Sequence, residues 1–125
     1  MIKKALMLFL FFTFLLTACS DSKLMNFVGE SKNWQVKYTV NVFAEKSESS
    51  KVTIRYIGEK PVPKKIKYTV ETATGNTGGE TPLKNGVLVT GEDSCSGCSV
   101  TQKNEKITAT ITWNDESETI ILKNN

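Results

Sequence analysis

From Trp34 onward the chain alternates apolar and polar residues, and this period of two restricts the fold more than any other feature. The clearest apolar series is Trp34, Val36, Tyr38, Val40 and Val42, with a polar residue in every position between. Because successive side chains of a strand point to opposite faces, this segment is predicted to form a strand with one buried and one solvated face.

The same alternation recurs along the chain, separated by segments rich in turn-forming residues. Further strands are predicted at residues 51–57, 65–71, 86–90, 99–102, 106–113 and 119–123, with turns at 45–50, 58–63, 75–82, 91–97, 103–105 and 114–117. Short strands at this spacing favour a sandwich. We therefore predict an all-β fold, an antiparallel β-sandwich of six to seven strands with immunoglobulin-like architecture. Trp34 and Trp113 are expected to meet across its core.

The first 18 residues differ in composition from the rest: fourteen are hydrophobic, two are Lys and none is acidic. The apolar run at residues 5–16 would span about 18 Å as a helix, well short of the ~30 Å hydrocarbon core of a bilayer. This favours a cleaved helical signal peptide at residues 1–18 over a permanent membrane span.

The sequence LTAC at residues 16–19, directly after the apolar run, resembles the lipobox of bacterial lipoproteins. The resemblance implies that Cys19 is linked to diacylglycerol through a thioether and becomes the first residue of the mature protein. The alternative is an ordinary secreted protein with an incidental cysteine. The domains expected are a signal peptide at 1–18, a lipidated cysteine and tether at 19–30, and a β domain at 31–125.

Residues 27–38 resemble the start of small lipoproteins of Gram-positive bacteria. The short run GES-x-NW at residues 29–34 carries this resemblance. The resemblance implies a secreted β domain on the extracytoplasmic face of the cell membrane, lipid-anchored at its N-terminus. It brings no activity with it.

Composition excludes several classes of function. The full chain carries 16 basic and 13 acidic residues, and without the first 18 residues it carries 14 basic and 13 acidic. This near-neutral balance argues against a nucleic-acid partner. The chain contains no His, which removes most zinc sites and imidazole catalysis. We therefore expect no catalytic residues, no cofactor and no metal.

The segment Cys95-Ser96-Gly97-Cys98 is the one chemical motif in the chain. With Cys19 assigned to lipid, the remaining two cysteines lie outside the cytoplasm, where disulfides persist. A Cys95–Cys98 disulfide that shapes the turn before a strand at residues 99–102 is the favoured interpretation. Thiol–disulfide exchange and binding of a soft ion such as copper(I) are the alternatives.

Four lysines surround two prolines in the segment 60–67, at Lys60, Lys64, Lys65 and Lys67. They are candidates for contact with anionic lipid headgroups or wall polymers. The alternative is a solvated loop that leads into a strand and deters edge pairing.

Two other segments carry weaker patterns. Residues 75–80 superficially resemble a phosphate-binding loop, but they lack its Lys-Ser/Thr ending, so a flexible hairpin connection is favoured. Asp115, Glu116 and Glu118 lack the ordered spacing of calcium ligands, which favours a charged hairpin tip.

The sequence thus predicts a lipid-anchored cell-envelope protein that acts as a non-enzymatic binding or structural module. Its expected partners are the membrane and an unidentified protein or envelope component. An extracytoplasmic thiol redox or soft-metal protein is one alternative. The other is an inhibitor or immunity protein against an external hydrolase or toxin, with a protruding loop at residues 75–82 or 91–97.

Overall fold

The structure, a computed structural model, describes residues 22–125. These residues form nine strands: β1 (Lys23–Glu30), β2 (Trp34–Ala44), β3 (Ser47–Tyr56), β4 (Lys65–Thr72), β5 (Gly75–Pro82), β6 (Val87–Val89), β7 (Asp93–Ser96), β8 (Ile107–Trp113) and β9 (Glu116–Asn124). Within residues 22–125 no helix is long and apolar enough to cross a membrane. The predicted signal peptide and Cys19 lie outside the described residues.

All strand pairs are antiparallel, which confirms the predicted fold class. The hydrogen-bonded order is β5-β4-β8-β9-β1-β2-β3-β6, with β7 also paired to β3. One layer contains β1, β2, β3, β6 and β7, and the other contains β4, β5, β8 and β9. Within residues 22–125 the layers join along a short β1–β9 ladder, in which Phe27 pairs with Asn124 and Val28 with Lys123. The result is an antiparallel sheet nearly closed into a barrel.

The core lies between the two layers and consists of the inward rows that the sequence predicts. Its buried apolar side chains among the described residues are Met25, Phe27, Trp34, Val36, Tyr38, Val40, Val52, Ile54, Ile66, Val70, Ile107, Ala109, Ile111, Trp113, Ile120 and Leu122. The rings of Trp34 and Trp113 meet edge-on, with centroids 5.3 Å apart. The predicted contact between the two tryptophans across the core is therefore confirmed.

The first strand begins inside the segment that the sequence analysis assigned to a tether at 19–30. β1 pairs with β2 over eight positions, from Lys23 opposite Val42 to Glu30 opposite Gln35. Its Met25 and Phe27 side chains are 4% and 0% exposed. Two inward positions are too few to produce a clear alternation in the sequence, and the strand is held by its partners. Residues 23–30 are therefore part of the β fold and not of a tether.

Two of the nine strands lie in segments that the sequence assigned to turns. β5 pairs with β4 along its whole length, although it contains three glycines. A Cβ at Gly78 would collide with the backbone oxygen of Tyr68, so this glycine allows close approach between strands. β7 pairs with β3 over four positions. Strand pairing at these two sites outweighs the low β propensity of their residues.

Candidate functional site

A cleft of about 320 Å³ opens at one end of the two layers. Three connections form it: the β1–β2 turn, the loop after β3 and the β8–β9 turn. The side chains that give it its chemical character are Lys32, Asn33, Tyr56, Lys60, Trp113 and Glu116. Among these residues the sequence analysis considered Lys60 as a surface contact and Glu116 as a calcium ligand, and favoured neither. The cleft as a whole was not visible in the sequence, because its residues come from three separate turns.

Glu118 of β9 fixes one wall of the cleft. Its carboxylate accepts hydrogen bonds from Ser31 Oγ at 2.5 Å, Asn33 N at 3.0 Å and Asn33 Nδ2 at 2.5 Å. The carbonyl oxygen of Asn33 in turn accepts a hydrogen bond from Ile57 N at 2.8 Å. One carboxylate therefore ties the β1–β2 turn to β9, and this turn is tied to the loop after β3.

The environment of Glu118 also changes its acidity. Partial burial raises the pKa of Glu118, whereas the hydrogen bonds from Ser31 and Asn33 and the charge of Lys32 lower it. The lowering effects together prevail, and the pKa lies below its ordinary value of 4.5. The ionised carboxylate of Glu118 therefore contributes its full stabilisation of the fold at pH values above 4.5. This contribution is lost as the pH falls through the lowered pKa of Glu118 in the folded state.

We predict that Glu118→Gln lowers the free energy of unfolding by about 1–2 kcal/mol at pH 7, because an amide N–H₂ would face the donors of Asn33. Urea denaturation at pH 7 and pH 3 measures this, and the deficit should shrink at pH 3. Glu116→Gln, an exposed change on the same hairpin, is the matched control and should be neutral. A deficit that is equal at both pH values would contradict the assigned role.

The cleft combines aromatic side chains with groups of both charges. Tyr56, which is half-buried, supplies the accessible aromatic surface, whereas Trp113 borders the cleft but is only 6% exposed. Lys32 and Lys60 supply two positive charges, and Glu59 and Glu116 supply two negative charges. The balance suits an uncharged or mixed-charge polar ligand better than a polyanion.

The Cys95–Cys98 disulfide is present, at the opposite end of the molecule from the cleft. The two Cα atoms are 6.1 Å apart, and Gly97 between them has a φ of 74°, a left-handed conformation that favours glycine. In the β3–β7 register Cys95 lies opposite Glu48. The backbone N–H of Cys98 donates to the carbonyl oxygen of Lys46 at 3.0 Å. Cys95 is thus held by β3 itself, and Cys98 by Lys46, the residue just before β3.

Residues 99–102, predicted as a strand, are not a strand. Instead, the Glu48 carboxylate accepts hydrogen bonds from Thr101 N at 2.8 Å and Thr101 Oγ1 at 3.0 Å. Glu105 also accepts a hydrogen bond from Gln102 N at 3.1 Å. The backbone N–H groups of Thr101 and Gln102 thus donate to side-chain carboxylates and not to a neighbouring strand. The Thr101 side chain is buried, with 7% of its surface exposed.

The four candidate lysines lie towards the same end as the cleft but not in one patch. Lys60 lines the cleft, whereas Lys65 and Lys67 lie on the exposed face of β4. Lys65 forms an ion pair with Glu80 at 3.0 Å, which adds little stability at an exposed position. The backbone oxygen of Lys64 accepts a hydrogen bond from Leu83 N at 3.0 Å.

The weaker patterns in the sequence receive structural explanations. Residues 75–80 belong to β5. Of the two segments expected to be loops, 75–82 is a paired strand and 91–97 contains β7 at Asp93–Ser96. In the acidic segment, Asp115 lies in the β8–β9 turn with a φ of 64°. The carboxylate of Glu118 accepts hydrogen bonds from Ser31 and Asn33.

Comparison with known proteins adds no further assignment, because no protein family, curated protein or solved structure matches the chain.

Proposed function

We propose that the protein is a cell-envelope lipoprotein, anchored through Cys19 on the extracytoplasmic face of the cell membrane, and that its β domain is a non-enzymatic binding module. The observation that carries the proposal is the position of β1. This strand begins at Lys23, four residues after Cys19, and runs towards the end of the molecule where the cleft opens.

The short segment between Cys19 and β1 would determine which end of the domain the proposed anchor holds near the bilayer. Four residues reach at most about 14 Å when fully extended, whereas the eight residues of β1 extend about 25 Å. The cleft lies beyond the far end of β1, next to the β1–β2 turn. An anchor at Cys19 would therefore hold the opposite end close to the bilayer and direct the cleft away from it.

This orientation selects between the two partners considered for the lysines. Lys60, Lys65 and Lys67 would lie farther from the headgroups than the screening length of about 8–10 Å at physiological salt. They would face the wall instead. The aromatic, amide and charged groups of the cleft suit a polar wall component such as a saccharide, and this is the ligand that the proposal assigns to the module.

Anchoring is tested with radiolabelled palmitate in the producing cell. The wild-type protein should incorporate label and fractionate with membranes, whereas Cys19→Ser should do neither. Label that survives the substitution would overturn the assignment of Cys19.

Wall binding is tested by co-sedimentation of the detergent-solubilised mature protein with purified cell wall. The double variant Lys32→Ala with Lys60→Ala, in the cleft rim, should reduce the bound fraction several-fold. The matched control is Lys37→Ala with Lys51→Ala, which removes the same charge from the exposed face of β2 and β3. Equal binding by both double variants would refute the cleft as the binding site, whatever the outcome of the palmitate experiment.

A further inference from the structure

We infer that reduction of the Cys95–Cys98 disulfide creates a zinc site in which Glu48 is the third ligand. One potential ligand atom from each of these residues lies within 4.8 Å of the other two, and all three residues are half-buried. The sequence pointed only to the cysteine pair, because Glu48 is 47 residues away from Cys95. The inference does not depend on the proposed function, since this site lies at the other end of the molecule.

The fold places the three ligands independently of any metal. The β3–β7 register sets Glu48 opposite Cys95. The backbone hydrogen bond of Cys98 N to Lys46 holds the second cysteine beside the start of β3. Thr101 fixes the carboxylate of Glu48 through two hydrogen bonds. Each carboxylate oxygen has a further lone pair, so the bonds to Thr101 orient the ligand without consuming it.

Opening the site requires a two-electron reductant as co-reactant. The S–S bond takes up two electrons and two protons to give two thiols; a dithiol reductant becomes a disulfide, and a phosphine takes oxygen from water and becomes a phosphine oxide. Zn²⁺ then displaces the thiol protons as it binds. Tetrahedral zinc with Zn–S bonds of about 2.3 Å holds two sulfurs roughly 3.7 Å apart. The exposed Ser96-Gly97 turn, with Gly97 at positive φ, is the part of the loop that changes conformation to allow this distance between the two sulfurs.

The donor set favours zinc over copper(I), the ion that the cysteine pair alone suggested. A carboxylate oxygen is a harder ligand than copper(I) prefers, whereas zinc accepts thiolate and carboxylate together. Three protein ligands leave the fourth position to water. The oxidised protein offers no thiolate from this pair, so metal binding is controlled by the redox state.

The test uses the mature protein in detergent, reduced with a phosphine, and Co²⁺ as a spectroscopic substitute for Zn²⁺. Reduced protein should show a thiolate-to-cobalt charge-transfer band that one equivalent of Zn²⁺ removes. Oxidised protein and the double variant Cys95→Ser with Cys98→Ser should lack this band. A reduced protein without the band, or a double variant that retains it, would overturn the inference.

The role of Glu48 is tested separately. Glu48→Gln should weaken Zn²⁺ binding by about tenfold or more. Thr101→Val removes the hydroxyl hydrogen bond to Glu48 but keeps the backbone hydrogen bond and the ligand, so it should weaken Zn²⁺ binding less than Glu48→Gln does. Glu105→Gln, which alters the carboxylate bonded to Gln102 and Ala73, should have no effect. If Glu48→Gln binds as tightly as wild type, Glu48 is not a ligand.

Discussion

Trp34→Ala is expected to lower the free energy of unfolding by about 3–5 kcal/mol, the range for removing a buried tryptophan side chain. Trp34 is 0% exposed, and its ring packs edge-on against Tyr56 and Trp113 at centroid distances of 5.0 and 5.3 Å. The loss is large for a small domain, whose total stability is about 5–15 kcal/mol. Urea denaturation monitored by far-ultraviolet circular dichroism measures it.

Two further variants serve as comparisons for Trp34→Ala. One keeps an aromatic ring at position 34, and the other removes an exposed apolar side chain. The Nε1 atom of Trp34 has no hydrogen-bond partner among the described residues, so Trp34→Phe breaks no hydrogen bond and should cost clearly less than Trp34→Ala. Ile121→Ala, at a position that is 52% exposed, should change stability by at most about 0.5 kcal/mol. A Trp34→Ala protein within 1 kcal/mol of wild type would contradict the central place of this ring in the core.

The inward rows were predictable because each long strand repeats its pattern four or five times. β2 and β8 show this best, and the Trp34–Trp113 contact follows from placing both rows inside. β1 shows only two buried apolar positions, and β5 shows none. Such strands are specified by pairing with distant residues, and pairing leaves little trace in local composition.

The candidate site was less predictable than the fold, for a related reason. Its cleft is assembled from three turns, and Glu118 is joined to Ser31 across 87 positions of sequence. Glu48 reaches Thr101 across 53 positions. Single carboxylates of this kind have no motif, because any of several surface residues would look the same in sequence. The cysteine pair was visible because its two members are three residues apart.

The two ends of the domain differ in what they offer. The end with the β1–β2 turn presents aromatic and mixed-charge groups, and the end where β1 begins carries the disulfide and Glu48. The proposed anchor would therefore separate the two sites, with ligand binding far from the bilayer and the redox-controlled site near it. Both sites use β3, which places Glu48 near its start and Tyr56 at its end. The two residues are eight positions apart, about 26 Å along a strand, so substitutions at one site should leave the other unaffected.

Gly29→Ala is expected to destabilise the protein by about 2–3 kcal/mol, because a side chain at this position overfills a tightly packed contact. A Cβ there would collide with the backbone oxygen of Ile121 and would lie 2.8 Å from Ile120 Cγ2 and 2.9 Å from Leu122 Cδ2. Gly29 follows the two residues of β1 that pair with β9. The substitution should therefore weaken the junction of the two layers, which hydrogen exchange of the β1 amides would detect.

Gly79→Ala is the matched control, a glycine-to-alanine change in the edge strand β5. A Cβ at Gly79 would lie 3.8 Å from Tyr68 Cε1, an ordinary van der Waals contact. This change should be neutral or should stabilise the protein by a few tenths of a kcal/mol, since alanine restricts the unfolded chain. If the two variants had equal stability, close approach at Gly29 would not be what holds the layers together, and the β1–β9 junction would tolerate a side chain at this position.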